Sequence, residues 1–278
     1  MSLPQSMLVR FWGVRGTIAS PGPDTARYGG NTSCVEVRCG EHSVIFDGGT
    51  GIRKLGDHLL ARGAAIDADI LFGHCHLDHV IGLPFFAPFY APGHRFRLWA
   101  GNLRPQSSLE GMIRSMMSAP LFPIGIEAFR SEIEFHDFRV DDVLHLGNGI
   151  EVRTAPLNHS DSSTGYRLEF AGRSIAYLTD TEHRLDQLDA NALSLAKGAD
   201  VMIYDSTYVD DEFSNHVGWG HSTWQQAVRL AEAAGAKQLV IFHHDPDRDD
   251  AALDAIAAAA QQARAGTLVA REGLELKL

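Results

Sequence analysis

The apolar run Ile70-Leu71-Phe72 leads straight into Gly73-His74-Cys75-His76-Leu77-Asp78-His79, and no other stretch constrains this chain's fold as tightly. A short buried strand that ends at a turn can aim alternate side chains at one point. Four groups with metal-binding atoms then lie within six residues, and burying them without partners is costly. His74 and His76, two apart, can share one ion, while Asp78 and His79 point to a second position nearby. Imidazole suits zinc, iron, nickel and copper, and the carboxylate widens the choice toward manganese. A solvent-exposed polar loop is the alternative, but chance rarely puts four such residues in this order.

An apolar strand followed by His or Asp recurs along the chain. Asn158-His159 follows a strand ending near Ala155, Asp180 follows Ile175-Ala176-Tyr177-Leu178, and His243 follows Leu239-Val240-Ile241-Phe242. A lone histidine at such a place is more often structural, and the repetition raises each of these. His243 is preferred to His244 because it comes first after its strand. Asp47, in Phe46-Asp47-Gly48-Gly49-Thr50-Gly51, also ends a strand and is placed to orient a ligand histidine. Arg15, Asn31 and Ser33 lie on early loops that could line a pocket. The amides of Gly13 and Gly16 could meet a phosphate oxygen there, although tight turns are an equally good use of these glycines.

Strands are predicted at residues 7–12, 33–38, 43–46, 70–72, 96–100, 150–155, 164–170, 174–178, 201–204 and 239–242. Helices are predicted at 52–62, 107–117, 223–234 and 251–265. Ser107 and Glu110 have the spacing of a capping box. Met112, Met116 and Met117 give that helix an adaptable face, better suited to core packing than to a lid. Strands precede helices in each half, which suggests two sheets with helices outside. No long linker or short repeat divides the chain, so residues 1–278 are expected to form a single domain.

Charge narrows the partners. The chain carries 24 Lys and Arg against 35 Asp and Glu, a net charge of −11. That balance argues against gripping long nucleic acid by charge alone. Cys34, Cys39 and Cys75 cannot all pair, which fits a reducing compartment, and a cytoplasmic location is expected. No apolar run approaches about 18 residues, so no membrane span or membrane partner is expected. Residues 1–11 lack the basic start and long apolar core of a secretory leader.

With these residues together, the sequence resembles the metallo-β-lactamase superfamily over essentially its whole length. The likeness begins at Asp47-Gly48-Gly49-Thr50-Gly51, includes His74, His76, Asp78 and His79, and continues through His159, Asp180 and His243. The complete His-x-His-x-Asp-His form looks like the two-metal hydrolases rather than the diiron oxygen-reducing branch. Three features are similar to the ribonuclease Z and cyclic-nucleotide phosphodiesterase branch. They are Gly220-His221-Ser222-Thr223, the strand-end motif Tyr204-Asp205-Ser206-Thr207-Tyr208 with Asp where Glu is common, and Asn158-His159 followed by Thr164-Gly165-Tyr166-Arg167. The chain departs from tRNA-processing members in lacking a long, glycine- and basic-rich arm. It also has Tyr177 where some of them carry an acid.

The resemblance implies an α/β fold, a four-layered αββα sandwich with metals at the edge where two sheets meet. It implies two divalent ions, with zinc first and manganese or iron as alternatives. His74, His76 and His159 would hold one ion, and Asp78, His79 and His243 the other, with Asp180 bridging. The implied activity is phosphodiester cleavage on a small substrate such as a cyclic nucleotide, with His221, Asp205 and Asp78 as the catalytic groups. Metal-activated water would attack phosphorus, and His221, held by Asp205, would give a proton to the departing alkoxide. A helix-start residue without chemistry is the alternative for His221. Two divalent ions would leave the site positive inside an acidic protein, which favours a small phosphodiester over a long polyanion. The competing functions are a thioesterase, lactonase or β-lactamase on the same scaffold, and a metal-dependent binding or sensing protein without catalysis. A homodimer is a further implication of the resemblance.

Overall fold

Residues two apart on a strand share a face, and a sheet that is apolar on both faces needs cover on each. Val201, Ile203 and Val240 join one buried cluster, whereas the intervening Met202 and Tyr204, with Leu239, join another. The computed structural model, which describes residues 6–103, 105–160, 162–185 and 187–278, shows how each cluster is covered. Residues 1–5, part of the stretch without leader character, lie outside that description.

The first sheet holds β1 (Met7–Gly13), β2 (Cys34–Cys39), β3 (His42–Phe46), β4 (Asp67–Phe72), β5 (Arg95–Ala100) and β6 (Glu132–Asp137). The second holds β7 (Val143–Gly147), β8 (Ile150–Leu157), β9 (Ser163–Phe170), β10 (Arg173–Leu178), β11 (Val201–Asp205), β12 (Gln238–Phe242) and β13 (Leu268–Val269). The last strand, β14 (Glu275–Lys277), returns to the first sheet beside β1. The spatial orders are β14-β1-β2-β3-β4-β5-β6 and β13-β12-β11-β10-β9-β8-β7. β3 to β6 are parallel, as are β10 to β13.

The two sheets pack face to face over Val9, Phe11, Val37, Phe46, Tyr166, Tyr177, Ile203 and Phe242. Outside the first sheet, α1 (Ile52–Ala61) and α3 (Leu109–Met116) bury Ile52, Leu55, Leu59, Leu109 and Ile113. Outside the second, α4 (Ala190–Ala196) and α6 (Trp224–Ala234) pack alanine-rich faces on Ala176, Leu178 and Met202, and α7 (Asp250–Ala263) packs on Ile241. The result is the four-layered αββα sandwich. Two short helices, α2 (Leu77–Val80) and α5 (Asp210–Phe213), lie in loops.

Several elements differ from the sequence reading. The cap of α3 is Ser108, whose side chain accepts from the Gly111 amide at 3.1 Å, and not Ser107. Glu110 turns instead to Arg114 one helical turn on, at 2.9 Å. Met117 is buried, while Met112 and Met116 pack partly against the outer core. β6 and β7 were not predicted: Glu132-Ile133-Glu134-Phe135-His136-Asp137 has no continuous apolar run because it lies at a sheet edge.

Candidate metal centre

The parallel strands bring their carboxyl ends to one edge of the sandwich. Asp47 follows β3, Asp180 lies two residues past β10, and His243 follows β12, with φ of 62°, 54° and 61°. Left-handed backbone at non-glycine residues costs on the order of 1–3 kcal/mol, and it clusters where a site demands it. His243 also needs a bare backbone opposite it. A Cβ added at Gly16 would lie 2.3 Å from its ring.

His74, His76 and His159 form one set, with ring centroids 4.3 to 5.1 Å apart. His159 Nε2 and His76 Nδ1 face each other at 3.3 Å. His74 is buried, and among the described residues neither ring nitrogen has a hydrogen-bond partner. Burial pushes the His74 and His159 imidazoles below their ordinary range, so each keeps a lone pair at neutral pH. Asp78, His79, Asp180 and His243 form the second set, all buried. Asp78 Oδ2 lies 3.1 Å from His79 Nε2 and 3.3 Å from His243 Nε2. Asp180 Oδ2 repeats these distances, while its Oδ1 lies 3.7 Å from His74 Nε2. One carboxylate therefore faces both sets.

The hydrogen bonds behind the rings decide which nitrogen is free. His79 Nδ1 donates to Asp47 Oδ2 at 2.8 Å, and His159 Nδ1 to the Gly220 carbonyl at 2.9 Å. His243 Nδ1 lies 3.2 Å from Thr207 Oγ1. Each bond occupies Nδ1 and leaves Nε2 as the nitrogen turned inward. His79 Nε2 and His243 Nε2 then face each other at 3.3 Å. Converging imidazole nitrogens, a buried His74 ring and a carboxylate between two sets are the features a divalent cation resolves, and the donors fit one.

Beside this cluster, the fully buried Asp205 sits 2.9 Å from His221 Nδ1 through its Oδ2. Burial would depress His221, but Asp205 outweighs it and raises the imidazole to about 9. Asp205 Oδ1 accepts from Thr207 Oγ1 at 3.0 Å, so one carboxylate supports both His221 and, through Thr207, His243. Asp180, Asp205, His221 and His243 also lie close enough to form a third metal-capable set. Asp78 Oδ2 accepts from the Thr17 amide at 2.8 Å. The support from Thr17 and Thr207 was missed in the sequence. Thr207 stood inside a quoted motif without an assigned role.

His243, not His244, enters the cluster; His244 turns its Nε2 to the Ala270 carbonyl at 2.8 Å. Three early residues do not line the site. Arg15 is buried and donates to the carbonyls of Gly29, Asp245 and Arg248; Asn31 Nδ2 donates to Glu272; Ser33 Oγ lies against the Arg15 carbonyl. The Gly16 amide is engaged by the His244 carbonyl and so is not free for a phosphate. These groups tie loops together because the chain crosses here between layers, where buried backbone needs partners. A cleft of about 800 Å³ opens beside His74 and His76, bordered by Asn102, Gln106, Ser107 and Met112.

A family model described as "Beta-lactamase superfamily domain" matches residues 42–244. Ribonuclease Z of Gemmatimonas aurantiaca is 26% identical, with 98% of this chain and 96% of that protein covered. The metallo-beta-lactamase fold protein YhfI of Bacillus subtilis superposes with a TM-score of 0.74 at 17% identity, covering 99% of this chain and all of that one. A diphosphatase of the PhnP family superposes with a TM-score of 0.68 at 20% identity, covering 98% and 97%.

Proposed function

The chain belongs to the beta-lactamase superfamily as a metal-dependent hydrolase, and on that premise we propose that it is a binuclear phosphodiesterase acting on small phosphodiesters such as cyclic nucleotides. The observation that carries this reading is the His221–Asp205 pair set against the ligand cluster. Bound divalent ions, zinc first by the mix of nitrogen and oxygen donors, supply Lewis acidity and a water nucleophile at neutral pH. His74, His76 and His159 are assigned to one ion, Asp78, His79 and His243 to the other, and Asp180 to both.

His221 does what the ligand set does not. Its Nδ1 proton is tied to Asp205, whose negative charge favours the doubly protonated ring, so Nε2 can carry a second proton. That proton is available to a departing alkoxide, a poor leaving group that gains most from general acid help. Asp205 holds the ring in place and balances its charge. The Thr17 amide holds Asp78 Oδ2 facing His79 and His243 in the second set.

The net charge of −11 favours a small substrate over a long polyanion. The likeness to ribonuclease Z favours RNA as the second reading. Three free cysteines support placing the protein in the cytoplasm, and among the described residues no helix is long and apolar enough to cross a membrane.

Metal analysis paired with a substrate panel tests the proposal. The panel holds bis-p-nitrophenyl phosphate, cyclic nucleotides, a tRNA precursor, a thioester and nitrocefin. Turnover of the first two at two ions per chain supports it. Activity confined to the thioester or nitrocefin overturns it, and preference for the tRNA precursor replaces it with the second reading.

A further inference from the structure

The loop that carries His221 has little apolar burial to hold it. Val217 and Trp219 are 58% and 63% exposed. The loop starts on His216, whose ring stacks on Tyr208 at 4.2 Å, and ends where Thr223 caps α6. Between those points its backbone converges on one carboxylate oxygen. Glu182 Oε2 accepts the amides of Gly218 and Gly220, each at 2.8 Å. Both glycines have positive φ, 89° and 84°, which turns their N–H groups the same way. Gly220 admits no side chain, because a Cβ there would meet His159 Nδ1 at 2.3 Å.

Glu182 is itself anchored. It lies two residues after Asp180; its amide donates to the Asn158 carbonyl at 2.7 Å, and its carbonyl accepts from Asn158 Nδ2 at 2.8 Å. Its neighbours reach the same region: the Thr181 amide meets Asp205 Oδ2 at 3.3 Å, and His183 Nδ1 meets Ser222 Oγ at 2.8 Å. Through Gly220, the clamp touches two functional groups at once. The Gly220 carbonyl accepts from His159 Nδ1, and the next residue is His221.

We propose that Glu182 is a positioning residue: by clamping Gly218 and Gly220 it holds His221 at the distance and angle from which its proton reaches the leaving group. The assignment rests on the phosphodiesterase reading for its kinetic consequence, but the clamp itself is a statement about the loop.

The test compares Glu182→Ala and Glu182→Gln with the wild type, all saturated with zinc. Gln keeps an oxygen that can accept both amides. Metal content, hydrogen exchange over residues 214–223, and kcat and KM on two esters are measured. One ester, bis-p-nitrophenyl phosphate, departs without a proton; the other, a cyclic nucleotide, releases an alkoxide. Glu182→Ala is expected to keep its metal and speed exchange at Gly218 and Gly220 at least about tenfold. It should lower kcat on the cyclic nucleotide about 100-fold, the low end of general acid effects, while bis-p-nitrophenyl phosphate changes by less than about threefold. Glu182→Gln should restore most of both. Unchanged exchange in Glu182→Ala, or equal loss on both esters, overturns the proposal. If the wild type cleaves no phosphodiester, the phosphodiesterase reading falls, and exchange alone decides the clamp: faster in Ala and restored in Gln upholds it, unchanged sinks it.

Discussion

Tyr177 donates its hydroxyl to Oδ2 of Asp47 at 2.6 Å across the two sheets, with both side chains fully buried. The same oxygen accepts from His79 Nδ1 at 2.8 Å, and Oδ1 accepts from the Gly73 amide at 2.8 Å. Asp47 therefore fixes His79 and the start of the loop bearing His74 and His76. Asp47→Ala is expected to weaken metal binding about 10- to 100-fold, as loss of such partners generally does. Competition against a chromophoric chelator measures this, and wild-type affinity in the variant would remove Asp47 from the centre. Tyr177→Phe should cost about 1.5–3 kcal/mol in unfolding free energy, the range for a hydrogen bond to a charged group.

Gly16 and His243 leave no room between them, since a Cβ at Gly16 would stand 2.3 Å from the ring. Gly16→Ala should displace His243 and lower zinc stoichiometry from two toward one per chain, with the circular dichroism of the fold kept. Two ions at full occupancy in that variant would show that His243 is not a ligand.

His221→Ala separates a proton donor from a ligand. It should retain both ions and lower kcat on alkoxide-releasing esters by about 10²- to 10⁴-fold. Loss of an ion, with unchanged rate per remaining site, would make His221 part of the metal-capable set it shares with Asp180, Asp205 and His243.

A buried ion-pair network away from the metals gives a pH signature. Burial alone would raise the Asp69 carboxyl, but hydrogen bonds from His42 at 2.6 Å and from Arg97 at 2.9 Å hold it below its ordinary value of 3.8. A depressed carboxylate contributes stability that is present above pH 3.8 and is lost as pH falls below it. Asp69→Asn should destabilise the protein near neutrality by about 1.5–3 kcal/mol, because it removes the charged acceptor shared by His42, Arg97 and Trp99. It should also flatten the acid limb of the stability curve. Denaturant titrations between pH 3 and 7 read both, and a parallel acid limb in the variant would count against the assignment.

Much of this was legible because strand ends announce themselves. An apolar run stopped by His or Asp located His74, Asp180 and His243, since a buried polar group at such a place needs a reason. Helices with periodic apolar faces, such as α1 and α6, were read nearly to their bounds. The edge strands β6 and β14 were not, because an edge needs no continuous apolar run. Arg15 lies on an early loop that could line a pocket, but three backbone carbonyls hold its guanidinium inside, contacts that sequence spacing does not show. Glu182 gave no signal, for its work is done on amides far along the chain, and sequence spacing carries no trace of that.

The two ligand sets draw on opposite layers. His74, His76, Asp78 and His79 follow β4, and His159, Asp180 and His243 follow strands of the other sheet. On the proposed assignment, ions held in common would act as rivets across the seam, fastening positions 83 and 164 residues apart. A half-folded chain offers each ion only part of its ligands, so the binding free energy arrives only when the layers close. Metal binding would then add to the hold between the sheets, and a shortage of metal would loosen this edge of the sandwich as well as cost turnover.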